Sequence, residues 1–219
     1  MTARSKSAGT KLPRKSPVLG RRFHDAFAFA ATKHAGQTRK GTAVPYIAHL
    51  ITVCALVLEA GGDEDLAIAA LLHDVVEDCG GKPVLKEVRR RFGRRVAHVV
   101  AGCTDADTSP KPPWRERKIA YLKHLRQADL DTRLVSAADK VHNARSILAD
   151  YKRMGEPLWE RFKGRRDGTL WYYRALSMEF RRRKANRLTD ELTEIVRELK
   201  RSVKLAPRTR ARGKNRKGR

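Results

Sequence analysis

A short apolar segment, residues 69–78, carries the residue types of a metal site. Its sequence is Ala-Ala-Leu-Leu-His-Asp-Val-Val-Glu-Asp, in which His73 and Asp74 are adjacent and Glu77 and Asp78 close the segment. Burying a histidine and three carboxylates among apolar side chains costs free energy unless a cation compensates the negative charge. The segment therefore predicts a divalent metal ion bound by His73 and Asp74.

Two further residues, His49 and Asp139, are candidates for completing the set of metal ligands. His49 is the last residue of the sequence Pro-Tyr-Ile-Ala-His, and Asp139 lies within the sequence Ser-Ala-Ala-Asp-Lys-Val-His-Asn. Two imidazoles and two carboxylates suit Mn²⁺, Fe²⁺ or Zn²⁺ and leave coordination positions open for water. Taken singly, His49 also fits an ordinary core histidine, and Asp139 also fits an ion pair with Lys140 or Arg145. Taken together, and in this order along the chain, the four residues favour a metal site.

Glu77 and Asp78 are predicted to work on water. On a continuous helix over 64–78, Glu77 lies one turn after His73, and Asp78 lies one turn after Asp74. A divalent metal lowers the pKa of bound water and polarises a phosphoryl oxygen. The two carboxylates are then placed to orient or deprotonate that water.

The hydrophobic pattern predicts an all-α fold with one domain. Glycines punctuate the chain between helical stretches, and Asp63 has the position of an N-cap. We see no convincing strand, no internal repeat and no glycine-rich phosphate loop. Helices are predicted over 22–34, 47–60, 64–78, 84–92, 94–103, 114–127, 131–151 and 169–200, the last with a kink near Asn186.

The formal net charge of +25 is concentrated at the two ends of the chain. Residues 1–22 carry seven basic residues and residues 200–219 carry ten, and neither segment contains an acidic or aromatic residue. Such segments are typical of disordered chain and would attract RNA, DNA or another polyanion, although without aromatic side chains to stack on bases. We predict a basic flexible arm at 1–20, a helical domain at 21–200 and a basic flexible tail at 201–219.

Three features indicate a soluble, cytoplasmic protein. Cys54, Cys79 and Cys103 are odd in number and form no CxxC pair, which argues against a disulfide framework. The basic N-terminus is followed by no apolar signal region. No stretch approaches the roughly 18 apolar residues of a membrane span. The oligomeric state stays open.

The pattern as a whole resembles the HD-domain hydrolases, and more closely the hydrolase domain of the RelA/SpoT homologues. The resemblance covers roughly residues 22–180, and the His-Asp pair followed by Glu-Asp separates this group from generic HD phosphohydrolases. At 219 residues the chain is expected to lack the synthetase domain of the long homologues and to be a small stand-alone alarmone hydrolase. Four segments carry the match: 37–40 with 45–49; 69–78; 92–97 with 103–105; and 138–145.

The resemblance implies an all-helical domain around one Mn²⁺ and the hydrolysis of the 3′-diphosphate of (p)ppGpp to GDP or GTP and pyrophosphate. Some small relatives act instead on (pp)pApp, and some remove phosphate from NADPH. By position, His49, His73, Asp74 and Asp139 take the metal-ligand roles, Glu77 and Asp78 the catalytic roles, and Arg39, Lys40, Asn143 and Arg145 the substrate-binding roles.

An aromatic run at 170–174, Leu-Trp-Tyr-Tyr-Arg, offers Tyr172 as a wall for a base or ribose, although aromatics at helical spacing are more often core. Three functions stay open at this point. The first is a Mn²⁺-dependent alarmone pyrophosphohydrolase. The second is an HD-type nucleotide or NADPH phosphatase. The third is a nucleic-acid-binding protein that acts through its basic tails. The sequence does not choose between guanosine and adenosine alarmones, or between housekeeping turnover and an antitoxin role.

Overall fold

The regular elements of this protein are helices, as the sequence predicts. The computed structural model describes residues 17–105, 110, 112–183 and 185–205. Within these residues the extended backbone amounts to one isolated bridge between Thr38 and Pro45. The α-helices are α1 (Arg21–Lys33), α2 (Ile47–Glu59), α3 (Glu64–Leu72), α4 (Val75–Cys79), α5 (Gly81–Phe92), α6 (Arg94–Cys103), α7 (Trp114–Gln127), α8 (Leu130–Met154), α9 (Arg165–Arg181) and α10 (Arg187–Leu205), with a 3-10 helix at Glu156–Arg161 between α8 and α9.

The longest helix, α8, is the centre of the fold, and α2, α3, α6 and α10 pack around it. Its buried face is rich in small side chains such as Ala137, Ala138 and Ala144, which let neighbouring helices approach closely. The contact with α6 is especially tight, because a Cβ on Gly102 would lie 2.5 Å from Cγ2 of Thr132. Helix α3 is buried from Leu66 onwards, so the residues that follow it, His73 and Asp74, start from a rigidly held helix.

The predicted helix over 64–78 is interrupted at His73 and Asp74, and this corrects the sequence-based expectation. Helix α3 ends at Leu72, and α4 starts at Val75. The side chain explains the break, since His73 Nδ1 donates to the carbonyl oxygen of Ala70 at 2.8 Å. In an uninterrupted helix the amide of Asp74 would use that carbonyl. The His-Asp pair therefore sits in a turn between two helices.

The C-terminal boundary also differs from the prediction. The stretch 169–200 is two helices, α9 and α10, and Asn186 at the predicted kink accepts a hydrogen bond from the amide of Thr189 at 3.0 Å. Helix α10 continues to Leu205 because its apolar stripe extends to Val203, so residues 201–205 are helical rather than part of a flexible tail. The rest of the two predicted basic tails, 1–16 and 206–219, lies outside the described residues.

Two further expectations can be compared with the structure. Cys54, Cys79 and Cys103 are all free thiols, which confirms the absence of disulfides among them. None of the described helices combines the length and the apolar character needed to span a bilayer.

Candidate metal centre and active site

The four predicted metal ligands converge from three elements. His49 comes from α2, His73 and Asp74 from the turn between α3 and α4, and Asp139 from α8. Oδ2 of Asp74 lies 3.0 Å from Nε2 of His73 and 3.5 Å from Nε2 of His49. Oδ1 of Asp139 lies 3.3 Å from Nε2 of His49 and 3.7 Å from Nε2 of His73. The ligand atoms of His49, His73 and Asp74 all lie within 4.8 Å of one another, close enough to share one ion.

The chemistry of these donors fits a divalent cation. Nε2 of His49 and Nε2 of His73 are buried and have no hydrogen-bond partner among the described residues. A backbone carbonyl only accepts, so Nδ1 of His73 carries a proton, and in the neutral ring Nε2 then has the lone pair that could bind a cation. Nδ1 of His49 lies 2.6 Å from Nδ1 of His142, a contact that fixes the ring of His49 in the same manner. Two nitrogen atoms without partners that face carboxylates are the expected surroundings of a metal ion.

Electrostatics at the cluster point the same way. Burial by itself would neutralise His73, Asp74 and Asp139. The charges of the two aspartates nevertheless raise the pKa of His73 well above its ordinary value. The pKa of Asp74, beside His73, is held well below its ordinary value, and so is the pKa of Asp139, beside the Lys140 ammonium. The cluster therefore favours a positive charge between imidazoles and carboxylates, which a divalent cation supplies.

Neighbouring polar groups orient both carboxylates. The Tyr46 hydroxyl donates to Oδ2 of Asp74 at 2.6 Å. The Lys140 ammonium donates to Oδ2 of Asp139 at 2.6 Å, and the Asn143 amide donates to the other oxygen, Oδ1. Such outer partners fix ligand geometry and affect metal affinity. They leave Asp139 satisfied on both oxygens even though it is buried.

The acidic pair lies one short helix beyond the His-Asp turn. Glu77 and Asp78 both line the cavity that adjoins the metal cluster. Gln37 donates its amide to Oδ2 of Asp78 at 3.0 Å, and its carbonyl oxygen lies 2.6 Å from Nδ1 of the buried His34. Burial raises the pKa of Asp78, and the negative charges of Asp74 and Glu77 add to this while the bond from Gln37 opposes it. A carboxylate with a raised pKa is suited to exchanging a proton near neutral pH.

The cavity beside the metal cluster has a volume of about 840 Å³ and is lined by both predicted substrate cations, Arg39 and Lys40. Arg39 donates to Oδ1 of Asn143 at 2.5 Å and stacks over the ring of Tyr46, 5.6 Å from its centroid. The loop between α1 and α2 is thereby tied to α8. The predicted Arg39, Lys40 and Asn143 are brought together with the metal cluster in one cavity.

Two predicted substrate residues differ from these three. Tyr172 lines the cavity, but it is a buried residue whose hydroxyl finds no hydrogen-bond partner among the described residues, and burial raises its pKa well above the ordinary value. Arg145 lies outside the lining of the cavity. Its guanidinium donates instead to Glu191 of α10 at 2.6 Å.

Cationic residues that the sequence did not single out form another wall of the cavity. Arg117 and Lys118 of α7 both pair with Asp105, and the Lys118 distance is 2.8 Å. The backbone amide of Asp105 donates to Oε2 of Glu77 at 3.3 Å, which brings this group next to the acidic pair. Burial and the nearby Lys140 ammonium lower the pKa of Lys118. Asp105 belongs to one of the four segments that carry the resemblance, whereas no spacing rule pointed to Arg117 or Lys118.

Comparisons with known proteins agree with this geometry. The HD domain family matches residues 26–170. The guanosine-3′,5′-bis(diphosphate) 3′-pyrophosphohydrolase MESH1 of Xenopus tropicalis is 38% identical over 126 residues, which are 56% of this chain and 68% of that protein. The bifunctional (p)ppGpp synthase/hydrolase SpoT of Escherichia coli is 32% identical over 133 residues, 58% of this chain and 18% of SpoT.

Similarity extends to three-dimensional structure. A solved structure of a metazoan ortholog of SpoT, described as hydrolyzing ppGpp, superposes with a TM-score of 0.68 and 29% sequence identity. The superposition covers 84% of this chain and 97% of that one. The family match over residues 26–170 includes all four metal-ligand candidates. The chain belongs to the HD domain family, and within it is similar to the stand-alone metazoan relatives of SpoT.

Proposed function

We propose that this protein hydrolyses the 3′-diphosphate of alarmone nucleotides, (p)ppGpp or (pp)pApp, to the nucleoside 5′-phosphate and pyrophosphate, with Mn²⁺ as its metal. One observation carries the proposal. Two buried imidazole nitrogens that form no hydrogen bond among the described residues face two carboxylates, and the acidic pair Glu77–Asp78 and several cations share the adjoining cavity. A metal cluster, proton-exchanging groups and phosphate-binding cations are together what metal-assisted phosphoester hydrolysis requires.

We assign the metal-ligand roles to His49, His73, Asp74 and Asp139. Two imidazoles and two carboxylates suit a borderline or hard divalent ion, and the proposal of Mn²⁺ rests on this donor set together with the family resemblance. A divalent cation held there would supply Lewis acidity toward phosphate oxygens and toward water.

The acidic pair handles the protons in this proposal. Hydrolysis forms a bond between the water oxygen and the 3′-linked phosphorus and breaks the bond from that phosphorus to the ribose 3′-oxygen. Asp78, with its pKa raised by burial, accepts a proton from the attacking water. Glu77 orients the water, and the departing 3′-oxygen takes up a proton to become a hydroxyl. Gln37 holds Asp78 in position through its amide.

The cationic walls bind the substrate. Arg39 and Lys40 line the cavity from the loop between α1 and α2, and Lys118 lines it from α7, so a polyphosphate ligand would meet positive charge from two elements. Arginine can donate two parallel hydrogen bonds to one phosphate, and lysine attracts phosphate as a compact positive charge. Asn143 keeps Arg39 in place, and Tyr172 offers a ring for the nucleoside.

The test is turnover of a substrate panel by the purified protein. Metal-free protein is reloaded with Mn²⁺ and incubated with ppGpp, pppGpp, ppApp, pppApp and NADPH, and products are resolved by ion-exchange chromatography. We expect pyrophosphate and the nucleoside 5′-phosphate from at least one 3′-diphosphate. Release of orthophosphate alone, from NADPH or from the alarmones, would contradict the proposal and identify a monoester phosphatase.

Matched variants assign the turnover to the site. Glu77→Gln and Asp78→Asn keep side-chain size and remove the charge, so each should lower kcat by at least about 100-fold, the usual contribution of general acid–base catalysis, with metal content near wild type. Arg94→Gln, an exposed substitution at the start of α6, serves as the control. Full activity in both acidic variants would exclude the assigned proton transfer.

A further inference from the structure

The cavity extends well beyond the metal cluster, along the face of α8. Asp139 is a metal-ligand candidate, and Asn143, Ile147 and Asp150 follow it on one side of the same helix and line the cavity. At about 1.5 Å of rise per residue, the backbone of Asp150 lies roughly 16 Å from that of Asp139. A ligand group bound near Asp150, at the far end of the cavity, is therefore too distant to contact a metal ion held by Asp139.

Cations from two separate segments meet at this far end. The guanidinium of Arg161 lies 3.2 Å from Oδ2 of Asp150 and 3.1 Å from Sδ of Met154. It also touches the loop that carries Lys40, because a Cβ on Gly41 would lie 2.9 Å from Nε of Arg161. The 3-10 helix and the loop between α1 and α2 thus close around the end of α8.

Lys163 adds a charge that the protein itself does not neutralise within the described residues. Its side chain lines the cavity and is exposed, and it forms no ion pair in this part of the chain. Lys40, Arg161 and Lys163 all line the cavity, where Asp150 pairs with Arg161 and neither lysine has an ion-pair partner among the described residues. An excess of positive charge in a concave, partly enclosed cavity favours the binding of an anionic ligand.

Part of the cavity lining is apolar. Ile147 of α8, Leu158 of the 3-10 helix and Phe162 just after that helix all line the cavity. A ligand that matches the whole cavity is anionic at both ends and apolar or aromatic between them. A nucleoside with phosphate groups on both its 3′ and its 5′ sides has this distribution of charge.

We propose that Lys163, with Arg161 and Lys40, forms a second anion subsite that binds the 5′-phosphates of the nucleotide while its 3′-diphosphate lies at the metal cluster. The proposal rests on the proposed function for the identity of the 3′ end. The subsite makes the 5′-phosphates a determinant of specificity. A nucleoside that carries only the 3′-diphosphate is expected to be a poor substrate because it leaves these cations without a partner.

Lys163→Gln tests the subsite without disturbing the fold, because the side chain is exposed. With ppGpp we expect KM to rise about fivefold to tenfold and kcat to change by less than about twofold, since an exposed charge-assisted contact to phosphate is lost. With guanosine 3′-diphosphate, which has no 5′-phosphate, the variant and the wild type should give equal kcat/KM. Lys86→Gln, an exposed lysine of α5 outside the cavity, is the matched control.

Two outcomes overturn the subsite. One is an unchanged KM for ppGpp in Lys163→Gln, and the other is an equal loss of kcat/KM with both substrates. A third measurement distinguishes a wrong subsite from a wrong proposed function. If the wild type hydrolyses neither 3′-diphosphate, titration calorimetry with GDP still measures whether the subsite binds 5′-phosphates. Weaker GDP binding in Lys163→Gln supports it, and equal binding excludes it.

Discussion

Removal of the Gln37 side-chain amide should slow the chemical step without emptying the metal site. Gln37 is the residue that donates to Asp78, at 3.0 Å, and its own carbonyl faces the buried His34. Among the described residues its side chain forms no hydrogen bond to any of the four metal-ligand candidates, which are held by Tyr46, Lys140 and other groups. The expected defect is therefore confined to the placement of Asp78.

The magnitude follows from the kind of bond. A hydrogen bond to a charged group contributes about 1.5–3 kcal/mol, and about 1.4 kcal/mol corresponds to a tenfold change in rate. The bond from Gln37 lies at the exposed rim of the site, which places it at the low end of that range. We expect Gln37→Met, which keeps the length of the side chain but cannot donate, to lower kcat about tenfold and to leave KM within about twofold.

The assay combines steady-state kinetics on ppGpp with measurement of bound Mn²⁺. Gln37→Glu is the sharper variant, because it replaces a donor by a negative charge beside Asp78 and should lower kcat further than Gln37→Met. Thr38→Val, at the exposed neighbouring position, is the control and should behave as wild type. Wild-type kcat in Gln37→Met would refute the positioning role, and loss of Mn²⁺ in that variant would show that Gln37 supports the metal cluster instead.

Three further predictions concern metal binding and stability. Asp139→Ala should lose Mn²⁺ as well as activity, and unchanged metal content would remove Asp139 from the ligand set. Gly102→Ala should lower the free energy of unfolding by about 1–2 kcal/mol in urea denaturation, because the new Cβ would lie 2.5 Å from Cγ2 of Thr132; a stable variant would mean that α6 and α8 can separate freely. Burial opposes the ionisation of Asp63, yet the hydrogen bond from Arg95 holds its pKa below the ordinary value, so the folded state binds fewer protons than the unfolded chain and stability should fall as pH drops below about 4. Replacing it by Asn should flatten that acid limb, and an unchanged limb would contradict the assignment.

The sequence pointed to the candidate metal ligands through their combination, since His49 and Asp139 taken singly also fit ordinary roles. His73 and Asp74 interrupt an apolar run, and Asp139 follows two alanines on a helix that must be buried. A charged residue within an apolar stretch is a strong indication of a functional site, because burying its charge costs free energy unless a partner or a cation compensates it. The structure brings His49 to within 3.5 Å of these carboxylates, as the resemblance implied.

Other features of the fold and the cavity depend on contacts that hydrophobic periodicity in the sequence does not reveal. The break at His73 arises from a side chain that takes a backbone carbonyl, and helical spacing alone predicts a continuous helix there. Arg145 stands six residues after Asp139, in one of the segments that carry the resemblance, but α10 supplies Glu191 as its partner. Arg117 and Lys118 reach the cavity because α7 packs against α9, a long-range contact that no local pattern encodes.

Helix α8 connects the proposed chemistry to the proposed substrate recognition. One of its faces carries Asp139, Asn143 and Asp150, which extend from the metal cluster to the far end of the cavity. Its opposite side, with Val141 and Leu148, is buried against the other helices. Because a helix is rigid along its axis, packing on the buried side fixes the distance between the two ends of the cavity. Under the proposed function, a nucleotide whose charged groups match that distance would engage both ends at once, and a shorter one would engage only one. The helix that carries the ligand candidate Asp139 would then also select the length of the substrate.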